Sequence, residues 1–378
     1  MLSKSVLEGD LRHARRSIQG LLIHGLAFVL VALVPAAAGA QTSGAARSTA
    51  PAKPAASSTP SKKTSAKPTT PPRASASSAT ARARAARAGT VARARQTAAA
   101  RQLREAMTPR YKLDGLGKVV PDVRAAAAIV YNPQTGDVLW EENSHDQRSI
   151  ASLTKIMTAV TFVADDPDLR RQVVVTSPDV VRASVTYLRA GEVISYGDLL
   201  HLMLIASDNA AARVLARTSD GGSKAFIGRM NEMAVHLGLT STHYEDPSGL
   251  DARNVSSAYD LSHLLAFAGA DVRLSPVLRS PEYEVTTSRR TFTVHSTNKL
   301  LGTEMDVQGG KTGFISKAGY CLATLLGVPQ KSSQLAVVVL GAATSTVRFW
   351  EARHLFNWAV DSTEGLLTGL ARPQGTPQ

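Results

Sequence analysis

The sequence predicts a mixed α/β (α+β) fold, in which an antiparallel sheet of five strands is flanked by helices and carries a helical subdomain. Two early apolar runs flank the turn-forming residues 132–136, a pattern typical of a β-hairpin. Three late segments, 305–315, 319–328 and 334–344, have the length and composition of neighbouring strands. Because helical stretches separate the two sets, we expect both ends of the folded segment to meet in one sheet.

Apolar residues recur at helical spacing between and after these strands. In the segment from Ser152 to Ala164, for example, Leu153, Ile156 and Met157 fall on one face. Further helices are predicted from Tyr196, Asn209 and Ser223 and over residues 347–360. We therefore place the folded domain at residues 111–362 and expect residues 363–378 to form a flexible tail.

The first 40 residues have the pattern of a targeting segment. A basic flank precedes the apolar run from Leu21 to Val34, and Ala38 to Ala40 supplies the small residues of a cleavage site. The alternative is an uncleaved membrane anchor, since the stretch from Leu21 to Ala40 approaches the roughly 20 residues that span a bilayer. Both alternatives place the protein outside the cytoplasm, and we expect it in the periplasm, free or tethered to the inner membrane.

Residues 41–110 contain 14 Lys and Arg and one acidic residue, Glu105, so they carry the whole net charge of +13. This Ala-, Ser- and Pro-rich segment is expected to be a disordered linker, because it cannot bury enough apolar surface to fold. The alternative for its last third is a basic, Ala-rich helix. Export argues against a nucleic-acid partner, which leaves a spacer or a contact with anionic lipid or wall polymer.

Lys155 is out of place on the apolar helix that follows Ser152. A buried ammonium is costly and tends to lose its proton. Three residues apart on a helix, Lys155 and Ser152 share one face, so the amine can reach the hydroxyl. A serine is a weak nucleophile without a base, and a desolvated lysine is such a base. The pair therefore predicts a nucleophile, Ser152, and a general base, Lys155.

Two further motifs support this prediction. Ser207-Asp208-Asn209 lies between two predicted helices, and Lys311-Thr312-Gly313 lies on a predicted strand. A Ser-x-x-Lys, Ser-Asp-Asn and Lys-Thr-Gly series in this order is the signature of penicillin-binding proteins and related β-lactamases. Residues 296–298, Ser-Thr-Asn, also match the second pattern, but they lie too close to Lys311 to form the opposite wall of a cleft. We interpret them as a structural lead-in to the strand.

The segment from about residue 123 to 360 resembles the low-molecular-mass penicillin-binding D-alanyl-D-alanine peptidases. The resemblance rests on "IASLTKIMTA", "LLHLMLIASDNAAA", "DPSGLD", "TNKLLG" and "GGKTGFISKAGYCL". Within that family it is most similar to D,D-endopeptidases of the penicillin-binding protein 7 type, because the β-rich second domain usual in the carboxypeptidase branch is not expected after the last helix. The resemblance implies the β-lactamase/transpeptidase-like fold.

The resemblance also implies roles in an acyl-serine mechanism. Ser152 would attack a D-alanyl carbonyl of a peptidoglycan stem peptide, and Lys155 would take its proton, with a pKa lowered by burial and by the cation Lys311. Ser207 would pass a proton to the leaving amine. The backbone N–H groups of Ser152 and Phe314 would form the oxyanion hole.

The remaining motif residues would bind substrate. Asn209 would orient Lys155 and hydrogen-bond the substrate amide. Lys311 and Thr312 would bind the carboxylate on the leaving side, and Gly313 would let the substrate backbone approach the strand. β-Lactam antibiotics would act as covalent inhibitors of the same site.

Three enzymatic activities and one non-enzymatic function are compatible with these motifs. The main hypothesis is cleavage of cross-links between D-alanine and meso-diaminopimelate, and the alternative is removal of terminal D-alanine from pentapeptides. A β-lactamase needs a dedicated deacylating base, for which Glu245 stands in a poor context, and a wall-binding protein without activity would leave a full catalytic set idle. We expect no cofactor and no metal, since the nine histidines show no ligand spacing, and a buried, inert thiol at Cys321.

Overall fold

The computed structural model describes residues 76–368. The helices in this range are α1 (Ala76–Met107), α2 (Thr154–Ala164), α3 (Ser177–Val180), α4 (Tyr196–Ile205), α5 (Asn209–Thr218), α6 (Gly222–His236), α7 (Ala258–Ala270), α8 (Ser275–Leu278) and α9 (Ser345–Thr368). The strands are β1 (Tyr111–Leu113), β2 (Val119–Pro121), β3 (Ala127–Tyr131), β4 (Val138–Glu142), β5 (Arg148–Ser149), β6 (Gln172–Val174), β7 (Val193–Ser195), β8 (Val255–Ser256), β9 (Glu282–Thr286), β10 (Thr291–His295), β11 (Val307–Ile315), β12 (Gly319–Gly327) and β13 (Gln334–Ala342).

The central sheet contains the five predicted strands, two from the early hairpin and three from the late segments. Its antiparallel strands follow the order β11, β12, β13, β3, β4. Val130 lies opposite Trp140 in the early hairpin, and Val338 of β13 lies opposite Ile129 of β3. The hairpin is thus hydrogen-bonded to β13, the last of the described strands, and the predicted α+β class is confirmed. This order leaves β11, the strand that carries Lys311, at an edge.

Each face of the sheet is covered by helices. Ile129 and Val338 belong to the larger core, which contains α2, α4, α5 and α7. Their sequence neighbours Val130 and Val337 belong to the second core, which packs against α9. Side chains of successive strand residues point to opposite faces, and apolar residues at every position of a strand therefore indicate a sheet buried on both sides.

The five predicted helices are present, with one difference at the start of the first. Residues Ala151–Leu153 form a 3-10 turn, and the α-helix begins only at Thr154. Helix α7 was not predicted. Its signal is the capping sequence Ser257-x-x-Asp260, in which the Ser257 hydroxyl accepts a hydrogen bond of 3.0 Å from the Asp260 N–H.

The prediction of a disordered linker is wrong over Ala76–Met107, where the chain forms α1. Alanine and arginine have high helix propensity, which the low complexity of the segment obscured. The end of α1 also belongs to the folded domain, because Ala106 is buried against α9. The ordered domain therefore begins before residue 111. The rest of the linker and the predicted signal or anchor lie outside the described residues.

At the other end, α9 continues to Thr368, so the first residues of the expected flexible tail are helical. The rest of the tail lies outside the described residues. None of the helices within residues 76–368 has both the length and the apolar composition needed to cross a bilayer. The Cys321 side chain in β12 is buried, and burial raises the pKa of its thiol to about 11, as expected of an inert cysteine.

Candidate active site

Ser152 lies on a tight turn at the edge of the sheet. The preceding residue, Ala151, has a left-handed backbone with φ of 49°, and its carbonyl oxygen accepts a hydrogen bond of 2.8 Å from the Thr154 hydroxyl. A Cβ atom on Gly249 would lie 2.0 Å from that same oxygen. The turn that presents the serine is therefore held on two sides, and only glycine fits at position 249.

Lys155 is completely buried on the first turn of α2. Its Nζ donates hydrogen bonds to Ser152 Oγ at 3.0 Å, to Asn209 Oδ1 at 2.6 Å and to the Ser248 carbonyl oxygen at 2.5 Å. The predicted contact between serine and lysine is present, and the ammonium has an acceptor for each of its three hydrogens.

Burial lowers the pKa of the Lys155 ammonium to about 7. The carboxylates of Asp246 and Asp208 oppose this shift, and Arg213 adds to it. Burial, followed by the charges of Lys155 and Arg348, holds the pKa of Lys311 well below its ordinary value. Because repulsion between two ammonium groups is mutual, protonation of either lysine disfavours the charge on the other.

The Ser-Asp-Asn motif occupies the connection between α4 and α5. Ser207 has a φ of 61° and accepts a hydrogen bond of 2.9 Å from Lys311 Nζ. Asp208 caps α5 by accepting from the Ala211 N–H at 2.9 Å. Asn209 is buried, and its amide donates to the Ala183 carbonyl at 2.7 Å while its oxygen faces Lys155. The motif thus links both lysines.

The Lys-Thr-Gly motif faces this connection from β11. Lys311 Nζ also donates to the Thr312 carbonyl oxygen at 2.9 Å, and the Thr312 hydroxyl donates to Thr297 Oγ1 at 2.7 Å. Thr297 belongs to the Ser-Thr-Asn sequence that we had interpreted as a lead-in to the strand. Thr297 therefore lies beside Thr312 of the Lys-Thr-Gly motif. The wall of the cleft opposite β11 is formed by Ser207 to Asn209.

Gly313 lies against the turn that carries Ser152. A Cβ atom at this position would lie 2.9 Å from the Ile150 carbonyl and 3.1 Å from the Ser152 nitrogen. The missing side chain therefore lets the edge strand approach the serine turn itself. This contact brings Gly313, whose carbonyl shares a peptide group with the Phe314 N–H, close to the Ser152 nitrogen. The Phe314 ring is half exposed and stacks on Tyr320 with ring centroids 4.2 Å apart.

Arg348, which was not predicted, approaches the same strand from α9. Its Nη1 donates to the Gly313 carbonyl at 3.0 Å and to the Cys321 carbonyl at 3.1 Å, and Nη2 donates to Ser345 Oγ at 3.1 Å. The side chain is buried, which lowers its pKa to about 10 and leaves it charged at neutral pH. Arg348 belongs to none of the sequence motifs, so the sequence alone does not indicate its role.

The loop around residues 246–254 shapes the pocket of Lys155. The Asp246 carboxylate accepts from the backbone N–H groups of Ser248, Gly249 and Asp251, which shapes the turn that offers the Ser248 carbonyl to Lys155. Glu245 is exposed on the outer side of this loop and pairs with His243 and Arg253. Its position gives no support to a deacylating role.

These contacts define the chemistry of the cleft. A hydroxyl beside a lysine whose pKa is near neutrality can be deprotonated, and a second serine beside a second buried lysine can move a further proton. Among the described residues, no cluster of three His, Cys, Asp or Glu side chains could hold a metal ion. Fold and site together define a serine hydrolase of the β-lactamase/transpeptidase-like fold with a lysine base.

Comparison with known proteins identifies the family. The family model described as D-alanyl-D-alanine carboxypeptidase matches residues 116–344, and the chain belongs to this family of penicillin-binding serine peptidases. A D-alanyl-D-alanine endopeptidase of Pseudomonas aeruginosa is 33% identical over 63% of this chain and 77% of its own length. An Escherichia coli D-alanyl-D-alanine carboxypeptidase is 33% identical over 63% of both chains.

Solved structures show the same fold. The Streptomyces DD-transpeptidase matches with a TM-score of 0.61 and 27% identity, over 64% of this chain and 98% of its own. A D-alanyl-D-alanine carboxypeptidase from Mycobacterium tuberculosis matches with a TM-score of 0.59 and 25% identity, over 68% of this chain and 96% of its own. The resemblance stated from the motifs is thereby confirmed.

Proposed function

We propose that the protein is a D,D-endopeptidase that hydrolyses the bond between D-alanine and the meso-diaminopimelate side chain in cross-linked peptidoglycan. The observation that carries this proposal is the hydrogen bond between Lys155 Nζ and Ser152 Oγ, in a pocket where the lysine pKa is about 7. The match to relatives named endopeptidase over 77% and 78% of their lengths supports this choice of reaction.

In the proposed mechanism neutral Lys155 accepts the hydroxyl proton as Ser152 Oγ attacks the D-alanyl carbonyl. The oxyanion forms against the N–H groups of Ser152 and Phe314, each worth about 3 kcal/mol of barrier. The amide C–N bond then breaks, and the leaving amine takes a proton through Ser207. Water attacks the acyl-serine ester in the second half-reaction, which restores the serine hydroxyl and releases the D-alanyl carboxylate.

The other motif residues hold the substrate in this scheme. Lys311 and Thr312 bind the carboxylate on the leaving side, and the Asn209 amide bonds the substrate while its oxygen keeps Lys155 in place. β-Lactams acylate Ser152 by the same attack and act as covalent inhibitors. The proposed substrate and the predicted export signal support a periplasmic location, with the enzyme either free or tethered by its first 40 residues.

Removal of terminal D-alanine is the second candidate, favoured by the description of the family model and by relatives of that name. Both reactions use the same residues, so only their products distinguish an endopeptidase from a carboxypeptidase. The test incubates the full chain without residues 1–40 with purified cross-linked muropeptide dimers and, separately, with monomeric pentapeptide. Chromatography should show loss of dimers with pentapeptide largely intact.

The reverse product pattern would identify a carboxypeptidase. Ser152→Ala is the matched control and should abolish both reactions and the labelling by a fluorescent penicillin. Hydrolysis of dimers by the Ser152→Ala variant at the parent rate would overturn the mechanism.

A further inference from the structure

Helix α1 presents an unusual concentration of positive charge. It contains seven arginines and a single acidic residue, Glu105. Arg101 forms an ion pair with Glu105 at 2.7 Å. The other six arginines, which are all exposed, have no acidic partner within the described part of the chain; they are Arg82, Arg84, Arg87, Arg93, Arg95 and Arg104. Within residues 76–368 these six side chains are therefore available for contacts with a partner.

The arginines recur at a spacing that places them in rows. Arg82, Arg93 and Arg104 are 11 residues apart, and Arg84 and Arg95 repeat the interval. Eleven residues make about three helical turns, so members of a row lie on nearly the same face, about 16 Å apart along the axis. The two rows lie on different sides of the helix, which makes α1 cationic along its length and around much of its circumference.

Helix α1 has no apolar face that would insert into a bilayer. Its large exposed apolar residues before the docked end are Val91 and Leu103, and at 100° per residue they point in directions about 120° apart. An interfacial helix needs a continuous apolar face opposite its cationic face. Recognition by α1 therefore rests on charge, and the matching partner is a polyanion with many carboxylates or phosphates.

The attachment of α1 leaves the catalytic cleft open. Its last turn packs on α9, where Ala106 is buried and Arg124 Nη2 donates to the Glu105 carbonyl at 2.8 Å. Ala106 belongs to the core on the α9 face of the sheet, whereas Ala151 and Leu153, which flank the nucleophile, belong to the core on the other face. A polymer bound along α1 would not compete with a stem peptide at Ser152.

We propose that α1 binds intact peptidoglycan through the free carboxylates of its stem peptides and so holds the enzyme on its own polymeric substrate. The inference rests on the proposed function for the identity of the polymer. Many weak, exposed contacts with a repeating anion suit a helix with rows of arginines, and they permit the enzyme to remain associated with the wall between cleavage events.

The test compares two variants of the full chain without residues 1–40. In one, the six unpaired arginines become glutamine, and in the other they become lysine, which retains the charge. Both also carry Ser152→Ala, so that the wall stays intact, and circular dichroism checks that α1 remains helical. Each protein is sedimented with purified sacculi at low salt and at about 0.5 M salt, where exposed charges are screened.

We expect the parent and the lysine variant to sediment with sacculi at low salt and to be released at high salt. The glutamine variant should bind at least about tenfold more weakly. Equal binding by the glutamine variant would overturn the proposal. So would tighter binding of the parent to anionic phosphatidylglycerol vesicles or to duplex DNA than to sacculi.

A separate measurement distinguishes this proposal from the proposed function. With Ser152 present, cleavage of soluble dimers reports on the cleft alone and should be equal in the parent and the glutamine variant. Absence of dimer cleavage in all proteins would contradict the endopeptidase assignment and leave the sedimentation result to decide the role of α1.

Discussion

The Nζ atom of Lys155 lies 2.6 Å from Oδ1 of Asn209 and 3.0 Å from Oγ of Ser152. A single buried nitrogen therefore joins the nucleophile to the wall of the cleft that carries Ser207. In this arrangement the protonation state of Lys155 controls whether Ser152 can react, and the oxygen of Asn209 controls where the lysine points.

Acylation should increase as the pH rises through about 7. A lysine acts as a base only when neutral, and it is neutral above its pKa, which burial lowers to about 7 in Lys155. The measurement is the second-order rate of labelling by a fluorescent penicillin between pH 5.5 and 9, conditions chosen to span about two units around that pKa. A rate that is constant across this range, or that falls, would contradict the assigned base.

Replacement of Asn209 by aspartate should move that rising limb to higher pH. A carboxylate next to the Lys155 ammonium favours the charged lysine, so a smaller fraction is neutral at pH 7 and acylation there should fall by at least about tenfold. Both Asn209→Asp and Asn209→Ala lose the amide donor to the Ala183 carbonyl, but Asn209→Ala adds no charge. If the two variants had identical pH profiles, the electrostatic explanation would be wrong.

The reactive side chains could be predicted from the sequence because each belongs to a short motif with a chemical purpose. The contacts that orient them could not. The Ser248 carbonyl that accepts from Lys155 is a backbone group 93 residues away in the chain, and any residue could supply it. Similarly, nothing in the sequence shows that Gly313 lies against the Ser152 turn, since a glycine has several uses in a strand.

Secondary structure was predictable where apolar periodicity was strong. The five strands of the sheet and the helices from Tyr196, Asn209 and Ser223 follow from it. Low-complexity composition predicts a linker for α1, because it obscures the helix propensity of alanine and arginine. Its anchorage at Ala106 depends on a tertiary contact with α9 that composition cannot reveal.

Arg348 should position one half of the oxyanion hole. Its Nη1 donates to the carbonyl of the peptide group whose N–H belongs to Phe314. A charged donor on that carbonyl fixes the peptide plane and polarises the N–H. Arg348→Gln should therefore lower kcat about ten- to hundredfold with a smaller change in KM, whereas Arg348→Lys should retain part of the activity.

The control for this prediction is Arg353→Gln, on the same helix, where the guanidinium pairs with Glu304, which precedes β11, and not with Gly313. Its kcat should stay near that of the parent. A loss of kcat in Arg353→Gln as large as that in Arg348→Gln would show that α9 as a whole, and not the contact with Gly313, determines the rate.

Gly249→Ala should impair the nucleophile through a steric contact. The matched control, Gly238→Ala, does not make this contact. Gly249 and Gly238 have positive φ values of 82° and 69°, so alanine strains both positions, at a cost of about 1 kcal/mol or more in the free energy of unfolding. Only at position 249 would the new Cβ meet the Ala151 carbonyl, whereas at position 238 it has nothing within 4 Å. A shift of the Ser152 turn by about 1 Å should slow acylation about a hundredfold.

Thermal unfolding and penicillin labelling of both variants separate the loss of stability from the loss of acylation. Equal labelling rates would show that the turn does not depend on the close approach of Gly249.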